Sequence, residues 1–524
     1  MRVDTQKKLF FIPLEVVMAQ ELKSINLVAP GFKGINTEDS PLAQDPSFAE
    51  VADNAIIDKR GRIAARKGLN VTTTNKTVLG SANIQAIKEF KDDGGNSVIF
   101  SVGNNKIMTG TTTLVDATPS GYSINANNWK IVNFNDHIYF FQKGLEPLVY
   151  DNASNAVATL SSVSGAGGMT SAKYGNEVLA AYGRLWTADF STDKSTIYWS
   201  DLLQGHVWTG GSSGSIDITK VWPDGYDEIV ALAAHNNLLL IFGKHSIIVY
   251  SGAEVPASMA LSDTIAGVGC VDRDTVQYTG TDVLFLSHTG LRSFGRTIQE
   301  KSMPISSLSA NISKDIISLL TEPNESFTST YHPEENFYLL VFRNQDITLC
   351  FDVRGLLENG SYRVTRWPGT GFKCFTGQDN GTLLVGGSHG VGTYSGNTDN
   401  SSSYRFKYFS PELTFGDASK LKFLKKLRPT IIGGSGANLF IKWAYDFGTA
   451  YNSESISLTT QGLAEYNTAE FNVGEFAVGE NTSRTSINAN GSGGTLTIGV
   501  ESDINGFELS VQEINVLALA GRTL

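Results

Sequence analysis

Cysteine is nearly missing from this chain of 524 residues: Cys270, Cys350 and Cys374 make an odd total, and none forms a Cys-x-x-Cys pair. That argues against a disulfide framework and for a reducing place of synthesis. Proline is scarce at 14 residues, and Asp, Glu, Lys and Arg together reach only 18%. A disordered tail or a coiled coil would need more charge, and collagen would need more proline. No apolar run approaches the ~18 residues of a membrane helix, so no membrane span is expected. Basic residues are outnumbered 41 to 52, for a formal charge of -11. Tight binding of duplex DNA is therefore disfavoured, because affinity for phosphate comes largely from Lys and Arg. A surface that lets DNA slide past would also be acidic, and so would an ordinary acidic enzyme. Lys7 and Lys8 precede an apolar stretch from Leu9 to Val17, but Pro13 and Glu15 interrupt it and no small-x-small cleavage site follows. This does not read as a secretory signal; Met18 is an alternative start, with residues 1–17 an upstream extension.

Glycine, by contrast, is plentiful at 53 residues. From Ile84 to Gly396 one phrase recurs: apolar run, polar turn, strongly apolar run, turn, third run. The central runs are Ser97 to Val102, His137 to Phe141, Arg184 to Trp186, Leu238 to Phe242, Val283 to Ser287, Phe337 to Phe342 and Thr382 to Val385, starting 40 to 54 residues apart. A four-stranded propeller blade takes about 40 to 50 residues. The gaps before these runs hold turn formers, such as Asn135-Asp136, Tyr182-Gly183 and His235 to Asn237. The expectation is an all-β chain with a β-propeller of about six or seven blade-like units over residues 81–398. One segment, Ile305 to Leu320, has helical spacing, with Ser307 or Ser309 as caps.

Residues 18–80 read as an irregular segment lying along other surfaces. After a polar linker, Asp399 to Ser403, residues 404–524 read as a C-terminal all-β, sandwich-like domain with strands at Arg428 to Ile432, Asn438 to Tyr445, Thr495 to Val500 and Glu513 to Ala518. Lys420, Lys422, Lys425, Lys426 and Arg428 cluster at its start, whereas ten acidic residues between Asp446 and Glu513 face only Arg484. The cluster reads either as a surface for an acidic partner or as a solvated edge strand.

Motifs for chemistry are weak. Gly-x-Ser-x-Gly occurs around Ser212 and Ser388, but both lie between strands rather than at a strand-to-helix elbow, and His389 beside Ser388 would point to the opposite face. Seven histidines are scattered without a His-x-x-x-His pair. The carboxylate pairs Asp227-Glu228 and Glu334-Glu335 are adjacent, as expected of turns facing water, whereas glycoside cleavage needs opposed acids. Trp186, Tyr198, Trp199, Trp208 and Trp222 suit either sugar stacking or packing between blades. No catalytic, metal or cofactor residues are assigned, and no enzyme activity is expected. The runner-up is a propeller-type glycan-binding or glycoside-hydrolysing protein of the tailspike kind.

A more specific pattern runs through Gly34-Ile35-Asn36-Thr37-Glu38-Asp39-Ser40-Pro41, Ala52-Asp53-Asn54, Gly61-Arg62-Ile63 and Arg66-Lys67-Gly68. It resembles the N-terminal signature of tail nozzle proteins of short-tailed bacteriophages, also called tail tubular protein B or packaged-DNA stabilisation proteins. Gly267 to Cys270, Phe285 to Leu291 and the ending Ile514-Asn515-Val516 with Gly521-Arg522 are similar too. The resemblance implies a virion tail subunit made in the host cytoplasm, in a ring, a homohexamer, below the adaptor ring of the portal. It implies contacts with tail fibres or spikes, and double-stranded DNA passing through without tight binding until ejection. Candidate partner-interface residues are Gly34, Asn36, Glu38, Asp39, Asn54, Arg62 and Arg66, together with Lys420, Lys422, Lys425 and Lys426.

Overall fold

In the computed structural model of the chain, residues 22–29, 31–152, 154–300, 307–434, 436–458 and 482–523 are described. The expected extension 1–17, the alternative start at Met18, and Ile305 and Ser306 of the expected helix lie outside them, as do Glu465, Glu470, Glu475 and Glu480 of the acidic C-terminal region. The chain is a β-propeller. Each apolar run singled out above is the second strand of its own sheet: Ser97–Gly103, His137–Gln142, Arg184–Ala188, Leu238–Gly243, Val283–Ser287, Phe337–Phe342 and Leu383–Gly387. Among the described residues six blades have four strands, and the one built on Val283–Ser287 has three.

Why these runs are solidly apolar is visible in where alternate side chains go. Tyr338, Leu340 and Phe342 enter one hydrophobic cluster, while Phe337, Leu339 and Val341 enter the next. Leu239 and Ile241 part from Leu240 and Phe242 in the same way. A strand places successive residues on opposite faces, and here both faces meet a neighbouring blade. The turns behave as their residues require, with positive φ at Asn135, Asp136, Tyr182, Gly183, Asn236 and Asn237.

The N-terminal segment departs from expectation. It is woven into the chain's own sheets as short strands: β1 (Leu22–Leu27), β2 (Val51–Asp53), β3 (Ala55–Ile57), β4 (Ile63–Ala65) and β5 (Leu69–Val71). β5 is the outermost strand of the last blade, with Leu69 opposite Tyr394 and Val71 opposite Gly392. The ring is thus closed by a strand more than 300 residues away in sequence. β2 pairs in parallel with Tyr362–Pro368 of the sixth blade and antiparallel with Tyr404–Phe409. One sheet of nine strands therefore runs from the propeller into the C-terminal region, ending at Leu496–Ile504, Asn438–Tyr445 and Asn452–Ser457. A second sheet joins β1, β3 and β4 to Leu509–Thr523 and Lys420–Gly433. Residues of both sheets and of the fifth and sixth blades share one core, which includes Phe32, Leu286, Tyr338, Leu439, Ile498, Ile514 and Val516.

The helical region is shorter than its periodicity suggests. Ala310–Ile312 is a 3-10 turn and α2 spans Ser313–Leu320, after the six-residue α1 (Phe294–Gln299). Ser307 and Ser309 do not cap it: Ser307 Oγ donates to the Leu291 carbonyl at 3.1 Å, and Ser309 Oγ accepts from Leu291 N at 3.0 Å. Instead the Glu38 carboxylate accepts from the Lys314 amide, so that a distant acidic side chain meets a free N–H of the first helical turn.

Candidate functional site

The chemical candidates are taken up by the scaffold. Ser212 Oγ donates to Asp201 at 2.7 Å and accepts from Arg184 at 2.9 Å, which pins a turn. His389 is half-buried, with its pKa held down by desolvation, and the Ser388 carbonyl accepts from Lys76. Asp227 does not face water as an adjacent pair in a turn would: it is buried and accepts from the amides of Glu228, Lys244 and His245 and from Ser246 Oγ. Trp186, Trp199 and Trp222 fill one inter-blade core, and Trp208 and Tyr198 pack in another. His245 and His288 stack at 5.7 Å, but no group of three or more His, Cys, Asp or Glu among the described residues could hold a metal. The cysteines are buried, and desolvation pushes the Cys270 and Cys374 thiols up to about 12.

Most of the N-terminal interface candidates lie inside the molecule. Arg66 is 1% exposed. Its guanidinium makes a bidentate pair with Asp399 (2.9 and 2.6 Å), donates from Nε to Asn54 Oδ1 at 2.9 Å, and lies 4.2 Å from the Tyr404 ring centroid. Asn54, at a φ of +52°, passes the connection on by donating to the Arg405 carbonyl at 2.8 Å. Asn36 is buried and its Oδ1 accepts from the amides of Glu38 and Asp39, while Arg62 is held by Asp58 at 2.5 Å. Gly34 sits at φ +87°, and a Cβ there would lie 2.6 Å from the Val364 amide nitrogen. Buried groups satisfied by their own chain do not line a partner surface, so Gly34, Asn36, Asn54, Arg62 and Arg66 are corrected to internal locks. Glu38 and Asp39 are exposed, though Glu38 is engaged with α2. The Asp399 to Ser403 linker is likewise a fixed turn, because Arg66 grips its first residue.

The lysine row is not an edge. The strand Lys420–Gly433 pairs with Leu509–Thr523 on one side and with three short strands, beginning at Thr482, Ile487 and Ser492, on the other. Lys420, Lys425, Lys426 and Arg428 are exposed, whereas Lys422 is buried, donating to the carbonyls of Asp417 and Gly494. Burial lowers the Lys422 pKa. On the other sheet, Glu501 is paired with Arg405 and Lys442, and Asp503 with Arg405, so these acids are partly neutralised.

A polar site that the sequence did not disclose lies on the propeller axis. The first strands of the blades run side by side; Gln85, Lys88, Asn128 and Lys130 from the start of two of them, Asp274 from the 3-10 turn Arg273–Thr275 and Arg343 from just after Phe337–Phe342 line one cavity of about 400 Å³. A second of about 420 Å³ adjoins it, sharing Lys88, Lys130 and Val276, and adds Glu177. Lys130 Nζ stands 3.9 Å from Glu177 and 4.0 Å from Asp274, longer than a hydrogen bond. Desolvation, and then the charge of Lys130, lowers the Lys88 pKa. Burial pushes Glu177 up to about 7 against the pull of Lys130 and Arg273, and one of its carboxylate oxygens has no hydrogen-bond partner. Burial and then Asp274 raise Asp272 to about 6. Asp274 itself is held low, because Arg273, Lys130 and Arg343 outweigh its desolvation. No spacing rule could have found these groups, since they are drawn from five different blades far apart in sequence.

No family profile and no curated protein matches this chain. Solved propellers are similar to it in part. The extracellular domain of a one component system from B. thetaiotaomicron has 12% identity and a TM-score of 0.39, covering 65% of this chain and 45% of that one. Streptogramin B lyase has 10% identity and a TM-score of 0.35, covering 61% and 95%. The WD40 propeller domain of Doa1 has 12% and 0.34, covering 62% and 96%. The chain thus spans less than half the length of the bacterial extracellular domain.

Proposed function

We propose that this chain is a structural subunit of a bacteriophage tail: a nozzle-type protein that assembles, as a homohexamer, into a DNA conduit below the portal adaptor ring. The observation that carries this reading is the N-terminal segment, whose signature-like residues bolt the propeller and the C-terminal sheets into one body. Arg66 joins β4 to Asp399, Glu38 meets α2, and β2 sits between Tyr362–Pro368 and Tyr404–Phe409. A part that carries load beside pressurised DNA needs such continuity, and a ring whose last blade is completed by the N-terminal strand β5 resists opening. The formal charge of -11 suits passage of a polyanion without grip. Tail fibres or spikes and the adaptor ring are the partners this role requires, and the virion tail is its location.

The test is electron microscopy of virions labelled with antibody against this chain, together with negative-stain images of the purified protein. The reading predicts label at the tail, below the portal, and sixfold rings. Label on fibres alone, or a purified protein that stays monomeric at every concentration and does not bind the adaptor, would overturn it.

A further inference from the structure

We propose that the axial cavity of the propeller is a binding site for a small anion carrying a phosphoryl group. The proposal does not rest on the tail reading and stands on four observations. Lys88 and Lys130 both line the two adjoining cavities, and neither ammonium has a hydrogen-bond partner among the described residues; the nearest carboxylates to Lys130 are at 3.9 and 4.0 Å. Arg343, 4% exposed, lines the same cavity with its Nε unpartnered, while its two terminal nitrogens reach Gln85 only at 3.3 and 3.4 Å. The charges do not balance. Three cationic side chains, Lys88, Lys130 and Arg343, line the two cavities against two carboxylates, Asp274 and Glu177. This excess of positive charge is built into the centre of a chain that is acidic overall. Finally, neutral donors lie beside the cations: Thr330 and Asn128 line the same space, Asn128 against the Asp274 carboxylate.

The physical reason is the cost of the empty site. Two ammonium groups of like charge in a partly desolvated space repel each other, and an unpartnered buried guanidinium nitrogen forfeits a hydrogen bond. A tetrahedral oxyanion offers several acceptor lone pairs to donors converging from different blades, and bonds between two charged partners are the strong kind. A carboxylate has only two oxygens for the same donors, and a neutral sugar leaves the charge unmatched. A cavity of this size admits a bare phosphate or a compact phosphate monoester, and the shared chemistry is the phosphoryl group.

The full-length chain is titrated with inorganic phosphate and, separately, with glycerol phosphate, by calorimetry and by phosphorus NMR, with succinate as the comparison. The expected result is saturable binding of at least one phosphoryl probe at one site per chain, tighter than succinate, and weakened by about tenfold or more in Lys88→Met and in Lys130→Met. Tighter binding of the monoester would identify an ester as the ligand, and equal or tighter binding of phosphate would identify the free ion. A second measurement needs no variant: reductive methylation of the wild-type chain, read by mass spectrometry, should be slowed at Lys88 and Lys130 by the bound probe and unchanged at Lys425 and Lys426. No saturable binding up to about 10 mM of either probe, or binding that leaves both axial lysines unprotected, overturns the proposal.

Discussion

At the scale of single residues, Arg66 decides most. Its guanidinium is buried against Asp399, Asn54 and the Tyr404 ring, so removing it leaves the buried Asn54 amide oxygen and the half-buried Asp399 carboxylate without their partner. Breaking a buried pair from one side costs about 3–5 kcal/mol. Arg66→Met should therefore lower the unfolding free energy measured by urea titration by that amount, and Arg66→Lys should recover only part of it, because an ammonium cannot serve both carboxylate oxygens and the amide in one plane. A loss below about 1 kcal/mol would mean that the pair is not desolvated in solution. Glu177 gives a prediction of pH dependence. Its folded pKa of about 7 stands above its unfolded value of about 4.5, so the folded chain binds the extra proton. Stability from this group is complete below pH ~4.5, falls as the pH rises towards 7 and is flat above; Asp272, raised to about 6, adds to the same slope. Glu177→Gln should flatten it and raise stability at pH 8 by up to about 3 kcal/mol. Denaturant titrations at pH 5, 6.5 and 8 would measure this, and an unchanged slope would contradict it.

At the scale of elements, the propeller depends on β5. Without it the strand Gly390–Tyr394 presents a bare edge, and the contacts of Leu69 and Val71 with the core of the sixth and seventh blades are lost. A chain lacking residues 1–72 is expected to unfold in more than one transition, to aggregate, and to be cut by protease near residue 390. A single cooperative transition with wild-type midpoint would show that the clasp is dispensable. Elements were also where sequence reading did best and worst. The second strands of all seven blades were legible because burial on both faces leaves a solid apolar run, as in Phe337–Phe342, where every residue is buried. β2 to β5 were not legible, because strands of three residues carry no period and owe their existence to partners hundreds of residues away. The strand at Lys420–Gly433 misled for a related reason. Lys420, Lys425, Lys426 and Arg428 mark its solvent face, and only pairing shows that the strand has neighbours on both sides.

At the scale of the whole molecule, one nine-stranded sheet and one shared core make the propeller and the C-terminal sheets a single mechanical piece. The conduit reading predicts that duplex DNA is not retained on the immobilised protein at about 150 mM salt, and that any retention at low salt shows a shallow salt slope. A steep slope, equivalent to several phosphate contacts per chain, would contradict it. The axial site is a separate matter, since its positive charges line a cavity of about 400 Å³ between the blades.

By itself the sequence determined the all-β class, a propeller of about six or seven blade-like units and the turns before their second strands, because these follow from local period and from residues that tolerate positive φ. It also determined the acidic balance that sets how the surface meets a polyanion. The tertiary structure alone decided which strand closes the ring, that Arg66 and Asn54 are internal locks rather than surface, and that Lys88, Lys130, Glu177 and Arg343 share one cavity. Those are relations between distant residues, and only the closing of the ring brings them within a few ångströms.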